Sequence, residues 1–176
     1  MFAATLKQGM KLAVFAALAA TLAGCAGYRL GPTNGAEAGA RSIEVKPFVN
    51  NTMEPRLGEP VTQAMRKSLQ QDGTYRLATG GGADVVLTGV IMEFSRSPIS
   101  FQSADLMSVQ DYSLSVSAKI KAVERVSGKV LLEREVYGRS TIRVGSDLTS
   151  AERQAAPLLA EDLARRATMY LVDGMW

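Results

Sequence analysis

The chain has 176 residues, 20 basic against 17 acidic side chains, 47% hydrophobic residues, one cysteine and no histidine. Length and apolar content support one domain with a real core. The missing histidine removes the commonest general base and metal ligand, and with them Ser-His and Cys-His nucleophile pairs. A single cysteine cannot close an intramolecular disulfide.

The chain opens with Lys7 and Lys11 and no acidic residue before Glu37, followed by the apolar run LAVFAALAATL at 12–22. That run is shorter than the roughly 20 apolar residues a membrane-spanning helix needs. A basic start, a short apolar stretch and the small residues Ala23 and Gly24 are the parts of a secretory signal. The string Leu22-Ala23-Gly24-Cys25 resembles the bacterial lipobox, in which the cysteine sulfur receives a diacylglycerol, the chain is cut before it and the new amino terminus is acylated. An ordinary signal with a cysteine near its end is the alternative; the register of apolar run, small residues and cysteine favours lipidation. Two or more acyl chains hold a protein at a bilayer where one binds marginally. Ala26, in place of the aspartate that retains lipoproteins at the inner membrane, points to the outer membrane. The domain division expected is therefore a lipoprotein signal peptide at 1–24, an anchor and flexible tether at 25–41, and an α+β domain at 42–176. Without residues 1–24 the chain has 152 residues (176 − 24), 18 basic and 17 acidic side chains and a net charge of +1. Such a balance carries little affinity for nucleic acid.

In SIEVKPF, residues 42–48, Ile43 and Val45 alternate with Glu44 and Lys46, which predicts a strand ending near Pro47. NNTMEPR reads as a turn. From about Pro60, Leu57, Val61, Ala64, Met65 and Leu69 form a helical stripe, and Asp72-Gly73 stops it. ADVVLTGVIMEFS, residues 83–95, is apolar on both faces and reads as a central strand.

SPISFQSADLMSVQ, residues 97–110, reads as a long connection with Ile99, Phe101, Leu106, Met107 and Val109 in it. Such a loop folds back onto the core or meets a partner; packing is the preferred reading, and partner contact by Ile99, Phe101, Leu106 and Met107 the alternative. Then Tyr112, Leu114, Val116, Ala118, Ile120 and Ala122 alternate with Ser113, Ser115, Ser117, Lys119 and Lys121, one buried face and one polar. VSGK at 126–129 turns the chain into the partner strand VLLEREVYGRSTIRV. At about 3.4 Å per residue these strands reach roughly 45 Å, so their hairpin is expected to project, with Arg125 and Lys129 flanking its tip. Thr149 and Glu152 have capping-box spacing for a last helix, Pro157 implies a short first turn or a kink, and Leu159, Leu163, Ala167, Tyr170 and Leu171 form its stripe. The fold class predicted is α+β: a two-layer sandwich, two helices on one mixed, mainly antiparallel four-stranded sheet with a long central hairpin.

Little chemistry is legible. Glu133 with Glu135, and Glu161 with Asp162, lie among arginines and read as an ion-paired surface more readily than as a general acid and base. TGGGAD at 79–84 lacks the Lys-Ser/Thr of a phosphate loop and leads into a strand. Asn50-Asn51-Thr52 reads as a polar turn. Basic residues are not interleaved with aromatic ones, so no nucleic-acid partner is predicted. Neither is a cofactor, a metal or an enzymatic activity.

CAGYRLG after the lipobox, SIEVKPFVNNTMEPRL, VTQAMRKSLQQDGTYRL, the central hairpin and LTSAERQAAPLLAEDLARRATMYL together resemble the LPS-assembly lipoproteins, the LptE-like family. The resemblance implies an outer-membrane lipoprotein facing the periplasm that enters the lumen of a large β-barrel translocon (LptD-like), assists its assembly and helps pass lipopolysaccharide to the cell surface, without catalysis. It also implies a basic residue near the hairpin turn in contact with lipopolysaccharide, which falls on Lys129, with Arg125 nearby. A basic helix residue implicated in the family has no counterpart, since APLLAED is apolar where it would fall. The competing expectation is a lipid-anchored periplasmic structural adaptor of another envelope or secretion complex.

Overall fold

The computed structural model describes residues 38–102, 105–144 and 147–174, with side chains at all of these except 102 and 105–108. Cys25, the signal and most of the tether lie outside the described residues. The elements run β1 (Arg41–Val45), β2 (Val49–Asn50), α1 (Gly58–Asp72), β3 (Tyr75–Leu77), β4 (Val85–Gln102), β5 (Asp105–Glu124), β6 (Val130–Arg143) and α2 (Leu148–Asp173).

The α+β class holds, with two helices and a mixed sheet, but the strand count does not. The sheet has six strands in the order β3-β1-β4-β5-β6, with β2 beside β4, where four were expected. β1 is parallel to both β3 and β4, and β2 is parallel to β4. The β4–β5 and β5–β6 pairs are antiparallel. The sheet is a curled half-barrel, not a flat layer. Strand twist accumulates over long strands, and the register shifts in β4 near Ile91 and again after Pro98 bend it further. β2 and β3 escaped notice because two and three residues are too few to display a period of two.

The longer patterns fold as their spacing dictates. Val61, Ala64, Met65 and Leu69 of α1 are buried, as is Leu57 just before it, and Gly73 ends the helix at φ +77°. Its N–H returns to the carbonyl of Leu69 at 3.1 Å. β4 is central, and Val85, Leu87 and Ile91 lie wholly in the core. Leu114, Val116, Ala118, Ile120 and Ala122 of β5 face the same core.

α2 begins two residues earlier than its capping-box spacing implied. Asp147 is the cap, its carboxylate accepting from the N–H groups of Thr149 and Ser150 at 3.0 Å each. The helix runs through Pro157 to Asp173. Leu159, Leu163, Ala167 and Leu171 are buried as expected, and Ala155, Ala160, Ala164 and Thr168 widen that face. The width serves two neighbours. α2 packs on the sheet through Leu159 and Leu163, and on α1 through a hydroxyl contact of 2.8 Å between Ser68 and Thr168. Tyr170, half-buried, carries the Arg134 guanidinium 4.1 Å above its ring.

Polar fasteners join elements distant in sequence. The Asp84 carboxylate accepts from the N–H and the hydroxyl of Ser42, both at 2.7 Å, tying the start of β4 to β1. Those bonds hold the Asp84 carboxyl below the usual carboxylate range. Asp111, bonded by Arg143 and Ser100, and Asp147, bonded by Ser150 and Thr149, are lowered likewise. The folded chain therefore binds fewer protons in acid than the unfolded one. This stability is fully present above the ordinary carboxylate pKa of about 4 and is lost as pH falls through the lower folded values. With no histidine, the melting temperature is expected to stay level between about pH 5.5 and 8 and to drop steadily below about pH 4. A scan with a step near pH 6.5 would contradict this account.

Candidate functional site

Three surfaces are candidates, and none is a cleft. The first is the sheet face opposite the core. Ser113, Ser115, Ser117, Lys119 and Lys121 of β5 sit there beside Glu133, Glu135, Tyr137 and Arg139 of β6. The Ser95 and Ser115 hydroxyls meet at 2.7 Å across β4 and β5. Glu133 bridges Lys119 at 2.8 Å and Lys121 at 3.1 Å, and these bonds lower its pKa. The face is thus small, hydroxylated and internally charge-paired. The helical acids are paired too: Glu161 meets Lys67 at 2.7 Å, and Asp162 binds Arg165, Arg166 and the Arg139 N–H. The ion-paired reading of Glu133, Glu161 and Asp162 is what the structure shows.

The second surface corrects an expectation. Residues 97–102 and 105–110 are not a loop but the continuation of β4 and β5. β6 ends its pairing at Asp111↔Arg143, and β2 ends its own at Asn50↔Ile91. Beyond Pro98↔Tyr112 the two strands pair with each other, as far as Gln102↔Asp105. Past the end of β6, β4 carries Phe101 and Gln102, roughly 7 Å at about 3.3 Å per residue. The base of this hairpin is secured by Asp111, which accepts from Ser100 at 2.5 Å and from Arg143 at 2.9 Å. Ile99 is 55% and Phe101 48% exposed, so these two do not fold back onto the core. The side chains of Leu106 and Met107 lie outside the described residues.

The third surface is the β5–β6 turn, which does not project. The Arg125 N–H bonds the Asp84 carbonyl at 2.8 Å, and its guanidinium donates to the Ala83 carbonyl at 2.8 Å and to Glu44 at 2.7 Å. Glu44 is held below the usual carboxylate range, first by Lys46 and further by Arg125. Arg125 therefore fastens the turn to the start of β4. Lys129 is exposed, and among the described residues no carboxylate lies within ion-pair distance of its ammonium. The projecting hairpin and this turn stand at opposite ends of the sheet, since Val85 pairs with Glu124 at one end and Gln102 with Asp105 at the other. β1 begins at the turn end, where Ile43 pairs with Val85, so the chain that precedes the domain enters it there.

Sequence reasoning missed the pinning of Arg125. Its partners, Glu44 and Ala83, lie 81 and 42 residues away. No local signal announces such contacts.

These features define a small α+β domain that offers a polar sheet face and a two-stranded projection for contact. Among the described residues, no helix is long and apolar enough to cross a membrane. The chain belongs to the LptE lipopolysaccharide-assembly family, whose model matches residues 40–171. Solved structures share the fold at low identity. The hypothetical protein CT253 from Chlamydia trachomatis is 11% identical, with TM-score 0.56 over 76% of this chain and 96% of that one. Protein XCC0632 from Xanthomonas campestris is 11% identical, with TM-score 0.55 over 83% and 92%. A minor lipoprotein from Acinetobacter baumannii is 10% identical, with TM-score 0.50 over 76% and 94%. No curated protein matches the chain.

Proposed function

We propose that this protein is an outer-membrane lipoprotein that assists assembly of the lipopolysaccharide translocon and delivery of lipopolysaccharide to the cell surface, as the plug and partner of an LptD-like β-barrel. The observation that carries the reading is the uncovered polar sheet face, in a chain of the LptE family. The lumen of an outer-membrane barrel is polar. A plug must therefore present hydroxyls and paired charges outward while hiding its own core, and the Ser95–Ser115 ladder beside Lys119, Glu133 and Lys121 does so. In this reading acyl chains on Cys25 hold the domain at the inner leaflet and residues 25–41 give it reach.

Two variants test the membrane and lipid parts. Cys25→Ser is expected to leave an unlipidated precursor that no longer fractionates with the outer membrane. Retained palmitate label with normal fractionation would remove the anchor. Lys129 is the exposed cation that would meet lipopolysaccharide phosphates, and Arg125, already bonded, supports the turn that presents it. Lys129→Asp is expected to weaken lipopolysaccharide binding roughly tenfold, the worth of one charge-assisted contact, with an unchanged melting temperature. Unaltered affinity would take Lys129 out of the model.

The whole reading is tested by purifying the lipidated protein from outer membrane in mild detergent and identifying what accompanies it by mass spectrometry. A large β-barrel protein in near-equal amount is the expected companion. A different assembly would make the protein an adaptor of another envelope complex.

A further inference from the structure

A cavity of about 350 Å³ opens where the first turns of both helices meet the sheet, within the size range of small-molecule sites. Its floor is apolar: Leu57, Leu114 and Leu159 are almost wholly buried beneath it, and Phe94 and Ala156 form part of its wall. Its rim is charged. Arg96 is paired with Glu152 at 2.6 Å, and Glu54, Arg56 and Arg153 complete the rim, which leaves an excess of one positive charge. Among the described residues no carboxylate lies within ion-pair distance of Arg56 or Arg153. Two exposed guanidiniums outside ion-pair contact therefore stand over an apolar floor, with Arg153 near enough to the Asp147 carboxylate to help Ser150 and Thr149 lower its pKa. Both helices also turn their positive ends this way, through Pro60 of α1 and Thr149 of α2.

From this arrangement we infer that the cavity is a binding site for a single-chain anionic amphiphile, an acyl chain on Leu57, Phe94, Leu114 and Leu159 with its carboxylate or phosphate head between Arg56 and Arg153. An apolar chain gains by leaving water for the floor. An anionic head gains charge-assisted hydrogen bonds from guanidiniums that give up no existing ion pair to make them. A neutral chain of equal length has only the first contribution. The site is separated along the sheet from the Arg125–Lys129 turn, with Phe94 and Arg96 lying far along β4 from Val85, which pairs beside that turn. The inference is independent of the barrel reading, which co-purification tests separately.

The test uses the full-length lipidated protein in phosphatidylcholine nanodiscs, photolysed with a dodecanoate that carries a diazirine near the chain end. Labelled peptides are mapped by mass spectrometry. Labelling is expected on the segments holding Leu57, Phe94 and Ala156. Dodecanoate and dodecyl phosphate should both compete, and dodecanol at least tenfold less well. If one anion competes and the other does not, the head is assigned to that chemistry. Arg56→Ala with Arg153→Ala should cut labelling about tenfold without altering the circular dichroism, since both side chains are exposed. Ala156→Trp, which fills the cavity, should abolish it; if that variant fails to fold, the arginine pair decides. Equal competition by dodecanol, labelling confined to other segments, or full labelling of the double variant would each overturn the proposal.

Discussion

A β-carbon at Gly138 is expected to lift α2 from the sheet. An added methyl there would stand 2.7 Å from the Leu159 carbonyl oxygen, 2.7 Å from Leu163 Cβ and 2.9 Å from the Leu163 N–H nitrogen. Two of these three are helix backbone, so no rotamer change relieves them. Gly138 sits in β6 opposite Val116, and Leu159 and Leu163 are fully buried on α2, so the helix must move and the core opens with it. Gly138→Ala should cost about 2–3 kcal/mol, typical of overpacking a closed core. For a domain of this size that lowers the melting temperature by about 5–10 °C. Gly138→Val should leave no cooperative transition. The control is Gly80→Ala, in a loop with nothing within 4 Å of the new carbon, which should alter stability by less than about 1 kcal/mol. A Gly138→Ala protein that melts with the parent would show that α2 is not held at this distance.

The second large effect is on binding. Ile99→Asp combined with Phe101→Asp is expected to abolish recovery of the β-barrel with the lipidated protein while leaving the melting temperature unchanged. Both side chains already meet water, where β4 and β5 reach and pass the last β6 pair, Asp111↔Arg143. Their replacement therefore removes little from the core. Covered by a partner, each would contribute about 1.5–3 kcal/mol of burial, and two together on the order of a hundredfold or more in affinity. Undiminished recovery would move the contact to the serine-rich sheet face. A lowered melting temperature would mean instead that the two residues stabilise the hairpin itself.

The elements legible in the residues were those with long, regular burial. Leu114 to Ala122 alternate over nine residues, and Val61 to Leu69 repeat at helical spacing. Both patterns are local statements about which side of an element meets the core. Segment 97–110 was misjudged for the opposite reason. Ser95, Ser97 and Ser100 carry no apolar alternation, and what makes them strand is the hydrogen bonding of β4 to β5, to which no side-chain pattern testifies. The cap of α2 was missed by two residues. Thr149 and Glu152 have the right spacing, but Asp147, whose charged carboxylate offers two oxygens, accepts from two N–H groups at once.

The candidate surfaces divide along the same line. Composition and spacing alone determined that the chain has a lipobox-like Cys25, no histidine for acid-base work, one two-faced central hairpin and two amphipathic helices, and the resemblance they carried led to the family. The tertiary structure alone decided which hairpin projects. Arg125 is pinned and the β5–β6 turn is closed, while β4 and β5 run on past β6 and leave Ile99 and Phe101 in water. It decided as well that Arg56, Arg96 and Arg153 gather around one apolar cavity. Their gathering depends on where the turn before α1, a strand and the start of α2 meet. Contacts of that sequence separation are set by packing of the whole core, and no period in the chain encodes them.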